Sequence, residues 1–119
     1  MEKYLKGDVV IIPFPYSNLH QHKRRPALVL SNLKGRDIIL CQITSQLKEN
    51  PYCVPLEEDD FSTGKLPLPS NIHCSLVFTL SKELITKKIG TINMATLIRV
   101  LQTFGQLLSL TLPETEDSS

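Results

Sequence analysis

No apolar run in this sequence approaches the length needed to cross a bilayer, and no basic-then-apolar signal opens it. A helical membrane protein and a secreted precursor are both excluded as readings, and a cytoplasmic protein is expected. Cysteine is scarce: there are three, Cys41, Cys53 and Cys74, with no CxxC pair. Disulfide scaffolds use dense, even sets and zinc sites use close ligand pairs, so the three read as reduced thiols. Cys41 and Cys53 lie within apolar runs and are expected to be small buried hydrophobes. GxSxG, P-loop, HExxH and dinucleotide-glycine motifs are all missing, which removes the commonest hydrolase and nucleotide-binding classes. Internal repeats and interdomain linkers are missing too.

What remains is 119 residues with 41% hydrophobic and 21% charged side chains. That is enough chain to bury one core unaided and composition typical of a globular domain. The expected organisation is a single domain over residues 1–112 followed by an acidic, flexible tail over 113–119. Net charge is only +1, but it is uneven. Residues 1–36 sum to +5 and residues 37–119 to −4. A fold that gathers the first third on one face would present a basic surface.

Short segments rich in Val, Ile and Leu, punctuated by Pro, Asn, Gly and Ser, predict strands joined by loops. Strands are expected at residues 7–14, 26–30, 38–43, 52–56, 72–80 and 88–92. Pro13 places an edge or a strand end at the close of the first. The continuous apolar character of residues 26–30 and 38–43 puts both inside the sheet. Residues 57–69, with four consecutive acids, read as an exposed loop. From Asn93, a plausible N-cap, Met94, Leu97, Ile98, Leu101, Phe104 and Leu108 recur with helical period. Ile92 and Leu97 have the spacing of a hydrophobic staple. The fold class is therefore mainly β with a C-terminal α-helix, the strands closing into a small barrel. The apolar stripe of the helix would cover its open side or meet a second subunit.

The densest chemistry is His20–Gln21–His22–Lys23–Arg24–Arg25, at the mouth of a strand. It offers charge for phosphate and groups that titrate near neutral pH. Most short basic runs are simply solvated. Arg25 differs because it precedes Pro26 and a buried run, and a guanidinium fixed there suits bidentate recognition of phosphate. His20 and His22 have no third ligand nearby in sequence, so a metal site is not the preferred reading. Thr44 and Ser45 close the 38–43 strand. Their hydroxyls either cap the strand locally or donate to a substrate oxygen.

The ordered set GDVV (7–10), RPALVLS (25–31), QITSQ (42–46), FTL (78–80) and KIG (88–90) resembles the PemK/MazF family, toxins of type II toxin–antitoxin systems. The resemblance spans roughly residues 5–108. It implies an SH3-like small β-barrel that is homodimeric, and a metal-independent, cofactor-free endoribonuclease acting on single-stranded RNA. It implies partnership with a cognate antitoxin, and contact with operator DNA only through the antitoxin complex. Catalytic roles carry over to Arg25 and Thr44. His22 and His73 are candidates to move protons, and His20, Lys23, Arg24, Ser45 and Gln46 to hold RNA. RNA carries its own nucleophile in the 2′-hydroxyl, so a protein need only align it, move protons and stabilise charge on phosphorus-bound oxygens. Many relatives hold an Arg and then an acid where this chain has His73 and Ser75. His73 can replace part of that role, whereas Ser75 cannot act as a carboxylate. The alternative function is therefore a catalytically silent small-barrel module that binds peptide or nucleic acid. A chain that reads DNA by itself is disfavoured by the lack of a recognition-helix signature.

Overall fold

The computed structural model describes residues 3–14, 23–46 and 50–109, with the side chains of Phe14 and Lys23 left out. Seven strands form one curled antiparallel sheet: β1 (Asp8–Phe14), β2 (Lys23–Asn32), β3 (Asp37–Thr44), β4 (Cys53–Leu56), β5 (Phe61–Gly64), β6 (Ser70–Ser81) and β7 (Lys87–Ile92). Their spatial order is β4-β6-β3-β2-β1-β7-β5. The expected mainly-β chain ending in a helix is what the structure shows, and a curled sheet of this kind fits the SH3-like expectation broadly. Pro13 sits near the end of β1, beyond the rungs that β1 makes with β7, so it removes no hydrogen bond from that ladder.

Alternation along β1, β2 and β3 splits the core in two. Val9, Leu28, Cys41 and Ile43 face one way and join Ile72, Cys74, Val54 and Ile92. Val10, Ile12, Ala27, Val29, Ile38 and Leu40 face the other way. Strands 2 and 3 are apolar on both faces because they are covered on both, as their unbroken hydrophobic runs require.

The helix α1 (Met94–Leu108) starts where expected, with Asn93 Oδ1 accepting the Thr96 N–H at 2.9 Å. Its buried residues are Thr96 and Val100, with Leu97 and Phe104 packed on the first cluster. The expected stripe is thus only half used. Met94, Ile98, Leu101 and Leu108 remain exposed on the helix.

Residues 57–69 depart from the exposed loop expected of them. Glu58–Asp60 form a 3-10 turn and Phe61–Gly64 pair with β7 as β5. Asp60 ties this segment to the helix: its carboxylate accepts from Thr96 Oγ1 at 3.0 Å and Arg99 at 2.8 Å, and its carbonyl accepts the Asn93 N–H at 2.8 Å. Burial works to raise the Asp60 carboxyl. The bonds from Glu57 N–H, Thr96 and Arg99 outweigh it and hold the group below the usual carboxylate range.

Of Cys41 and Cys53, both expected to be buried, only Cys41 is. Cys41 and Cys74 are fully buried, while Cys53 is only half-buried. The hydrogen bond between the two buried thiols, with burial, pushes Cys41 well above the ordinary thiol range. The expected tail, 113–119, lies outside the described residues.

Candidate functional site

Strand alternation puts Arg25 on the same face of β2 as Ala27 and Val29. Arg25 stands opposite Ile12 of β1, and Ala27 stands opposite Gln42 of β3. Two residues beyond that Ala27–Gln42 rung along each strand come Arg25 and Thr44, where β2 and β3 both approach their ends. Both side chains line one open groove of about 380 Å³. Arg24, Ser45 and Gln46 line it as well, so five of the residues singled out from the sequence meet in one place.

The rest of the lining is largely apolar, from Ile11, Pro26 and Ile43 on the sheet and Leu66, Pro67 and Leu68 on the β5–β6 connection. Cationic side chains and hydroxyls beside an apolar wall suit a ligand with both anionic and flat apolar parts. A second hollow of about 510 Å³ shares Ser45, Leu68 and Ser70 with the groove and adds Pro55, Glu57 and Asn71. The two make one continuous track.

Thr44 is buried, and its Oγ1 accepts the Gln46 backbone N–H at 3.2 Å. This is the local strand-ending bond expected of such a hydroxyl, and it is compatible with the other role. The bond uses one acceptor position of the oxygen and leaves its hydrogen to be donated. Gln46 is pinned in turn, its carbonyl accepting from Asn71 Nδ2 at 3.3 Å. Asn71 is the cross-strand partner of Thr44 on β6.

His73 lies two rungs inward from Asn71, opposite Gln42 on β3 and Cys53 on β4. It shares the sheet face of Thr44 and is buried, but it does not line the groove. Asn50 Nδ2 lies 3.3 Å from His73 Nε2, and Asn50 Oδ1 accepts the Tyr52 N–H at 2.8 Å. That second bond fixes the amide's orientation, so Nε2 faces a donor and acts as the acceptor. Ser75 is exposed, in a stretch of β6 where the pairing with β3 breaks register. His20 and His22 lie outside the described residues, as does the side chain of Lys23. Among the described residues, no group of three or more His, Cys, Asp or Glu could hold a metal ion.

Sequence reasoning missed Leu66, Leu68, Ser70, Asn71 and Glu57. The one available signal was Leu66–Pro67–Leu68–Pro69, a proline-stiffened loop that keeps Leu68 60% exposed. Leu68 thereby adds apolar surface to the wall of the groove that Arg24 and Arg25 also line.

A family profile described as PemK-like, MazF-like toxin of type II toxin–antitoxin system matches residues 5–108. The fold is similar to an endoribonuclease in complex with its cognate antitoxin from Mycobacterial species, at TM-score 0.74 and 21% identity, over 93% of this chain and 100% of that one. It is similar to the toxin MazF-mt6 of Mycobacterium tuberculosis, at TM-score 0.72 and 17% identity, over 88% and 99%. It is also similar to MazF in the MazE–MazF complex of Deinococcus radiodurans, at TM-score 0.69 and 25% identity, over 89% and 96%. No curated protein matches the sequence.

Proposed function

The chain belongs to the PemK-like, MazF-like toxins of type II toxin–antitoxin systems, and on that footing we propose that it is a metal-independent endoribonuclease cutting single-stranded RNA in the Arg25–Thr44 groove. The observation that carries the reading is the convergence of Arg25 and Thr44 on one track whose other wall is apolar. RNA lies along this track with its phosphates toward Arg24 and Arg25 and its bases against Leu66 and Leu68.

The 2′-oxygen attacks the adjacent phosphorus, the bond to the 5′-oxygen breaks, and the products end in a 2′,3′-cyclic phosphate and a 5′-hydroxyl. Arg25 supplies a cationic fork to the oxygens that gain charge, and Thr44 donates its hydroxyl hydrogen to one of them. Ser45 and Gln46 hold the flanking backbone. Proton movement is assigned to His22 and His73, with His20 and Lys23 adding affinity for RNA. His73 acts from two rungs inward of Thr44, held by Asn50.

An antitoxin segment rich in acids would cover the same track and exclude RNA, and operator DNA would be met only through that complex. A second copy of the chain would take the apolar helix face of Met94, Ile98, Leu101 and Leu108, which the fold itself leaves in solvent.

The test is incubation of the purified protein with a long single-stranded RNA in EDTA, with the product ends mapped. Discrete fragments with cyclic-phosphate and 5′-hydroxyl ends are expected. Intact RNA from a folded dimer would favour the silent binding module, the reading to which exposed Ser75 points, since no carboxylate stands there.

A further inference from the structure

The described rungs between β2 and β3 end at Ala27–Gln42, so the last residues of β3 are held from one side, by β6. The final rung pairs Thr44 with Asn71, and directly opposed residues of an antiparallel pair share a face. Ser45 and Gln46 come next, outside the strand and exposed, where the ladder no longer fixes the backbone. Asn71 is placed differently. It sits within β6 between Thr44 of β3 and Pro55 of β4, with buried Ser70 and Ile72 on either side of it in sequence.

From that anchored position Asn71 Nδ2 donates to the Gln46 carbonyl at 3.3 Å, and the Gln46 N–H donates in turn to Thr44 Oγ1 at 3.2 Å. A threonine hydroxyl rotates about its C–O bond and has two acceptor positions. With an N–H fixed on one of them, the hydroxyl hydrogen is kept off that side. Release of Gln46 removes the fixed donor, and the hydrogen then spreads over several directions. Stabilising charge as it develops depends on a donor aimed before the reaction starts. A neutral amide suits this task where a lysine would not. Beside a track for RNA, an ammonium binds phosphate and lets the carbonyl go.

We propose that Asn71 is a positioning residue for the cleavage. By holding Gln46 against the end of β3, it fixes the donor on Thr44 Oγ1 and keeps the hydroxyl hydrogen directed into the groove. Asn71 lines the adjoining hollow and not the groove that Arg25 and Thr44 share, so it acts through Thr44 and not on the reacting phosphate. The effect on rate rests on the ribonuclease reading; the hold of Asn71 on Gln46 does not.

The experiment compares the parent with Asn71→Ala, Thr44→Val and the double variant on a single-stranded RNA that the parent cuts. Asn71→Ala is expected to lower kcat about tenfold with KM within about twofold of the parent, since the hydroxyl stays and only its aim is lost. In the Thr44→Val background the same substitution is expected to add nothing, because no hydroxyl is left to aim. Asn71→Thr keeps a strand-forming side chain that is one bond too short for the Gln46 carbonyl, and takes the place of Asn71→Ala if that variant fails to fold. A rise in KM at unchanged kcat, or losses that multiply in the double variant, overturns the positioning role and makes Asn71 a direct RNA contact. Exchange of the Gln46 amide hydrogen with water is followed by NMR without RNA, and is expected to run several-fold faster in Asn71→Ala. An unchanged exchange rate overturns the hold on Gln46. A parent protein that cuts no RNA overturns the ribonuclease reading and the effect on rate with it, while the exchange rate still decides whether Asn71 holds Gln46.

Discussion

Thr44 Oγ1 accepts the Gln46 N–H at 3.2 Å while lining the groove that Arg25 also lines. One residue therefore shapes the strand end and borders the groove. Thr44→Val keeps the β-branched shape and removes both functions of the oxygen. Loss of a hydrogen-bond donor to developing charge is expected to lower cleavage about 100-fold. Loss of the local bond costs only about 1 kcal/mol of stability. Thr44→Ser should retain most activity. Single-turnover cleavage of a short RNA, with thermal melting of each variant, separates the two effects, and full activity in Thr44→Val removes the hydroxyl from the mechanism.

Arg25→Ala should abolish cleavage, with a loss on the order of 100- to 1000-fold, while the chain stays folded. The side chain is half-buried near the start of β2, outside both core clusters. Arg25→Lys should recover only a small part of the rate, because an ammonium lacks the planar two-point fork. Cleavage rates at matched ionic strength, with circular dichroism for the fold, decide this. An Arg25→Lys variant as active as the parent would reduce Arg25 to simple charge.

The fold was legible where one residue type repeats at one period. The Val-, Ile- and Leu-rich runs became β1, β2, β3, β6 and β7, and Asn93 capped the helix as its position suggested. Arg25 and Thr44 each stood out where an apolar strand gives way to a polar group, but only the family resemblance named them together; the structure has them line one groove. Strand β5 was not legible. Phe61–Ser62–Thr63–Gly64 has no alternation, and it is a strand only because β7 lies beside it. The same holds for Asp60, which reads as one acid among four yet is the one that Thr96 and Arg99 hold. Cys53 and His73 are twenty residues apart, and only strand register makes them neighbours. Contacts between distant segments leave no local period to read.

Asp60 gives a pH-dependent prediction. Its folded-state carboxyl lies below the ordinary value of 3.8, so the ionised form is the stabilising one. That contribution is fully present above the ordinary value and is lost as pH falls through the lower folded-state value. Asp60→Asn should cost about 1–2 kcal/mol at neutral pH, discounted for partial exposure, or several degrees in melting temperature. The gap between parent and variant should close in strong acid. A gap of constant size from pH 7 down to pH 2 would mean that the loss is steric and not electrostatic.

The pairing of Gly64 with Gly90 gives a test of what holds β5 in place. Gly64 has φ +74°, and a Cβ there would meet the Ile89 carbonyl oxygen and lie 2.6 Å from Gly90 Cα. Gly90 has an ordinary φ, but its Cβ would come within 2.6 Å of the Thr63 carbonyl oxygen and 3.0 Å of the Phe61 ring. Gly35 has φ +91° with nothing within 4 Å. The three glycines separate backbone strain from close approach. Gly35→Ala bears strain alone and should cost roughly 1 kcal/mol. Gly90→Ala bears only the clash, and Gly64→Ala bears both, so Gly64→Ala should cost the most, on the order of 3 kcal/mol. Because β5 leads into Leu66 and Leu68, its displacement should also weaken RNA cleavage in Gly64→Ala and Gly90→Ala, and leave it unchanged in Gly35→Ala. Denaturant titration of the three variants beside the RNA assay checks the order. Equal losses in Gly35→Ala and Gly64→Ala would show that strain, and not the contact between β5 and β7, sets the cost.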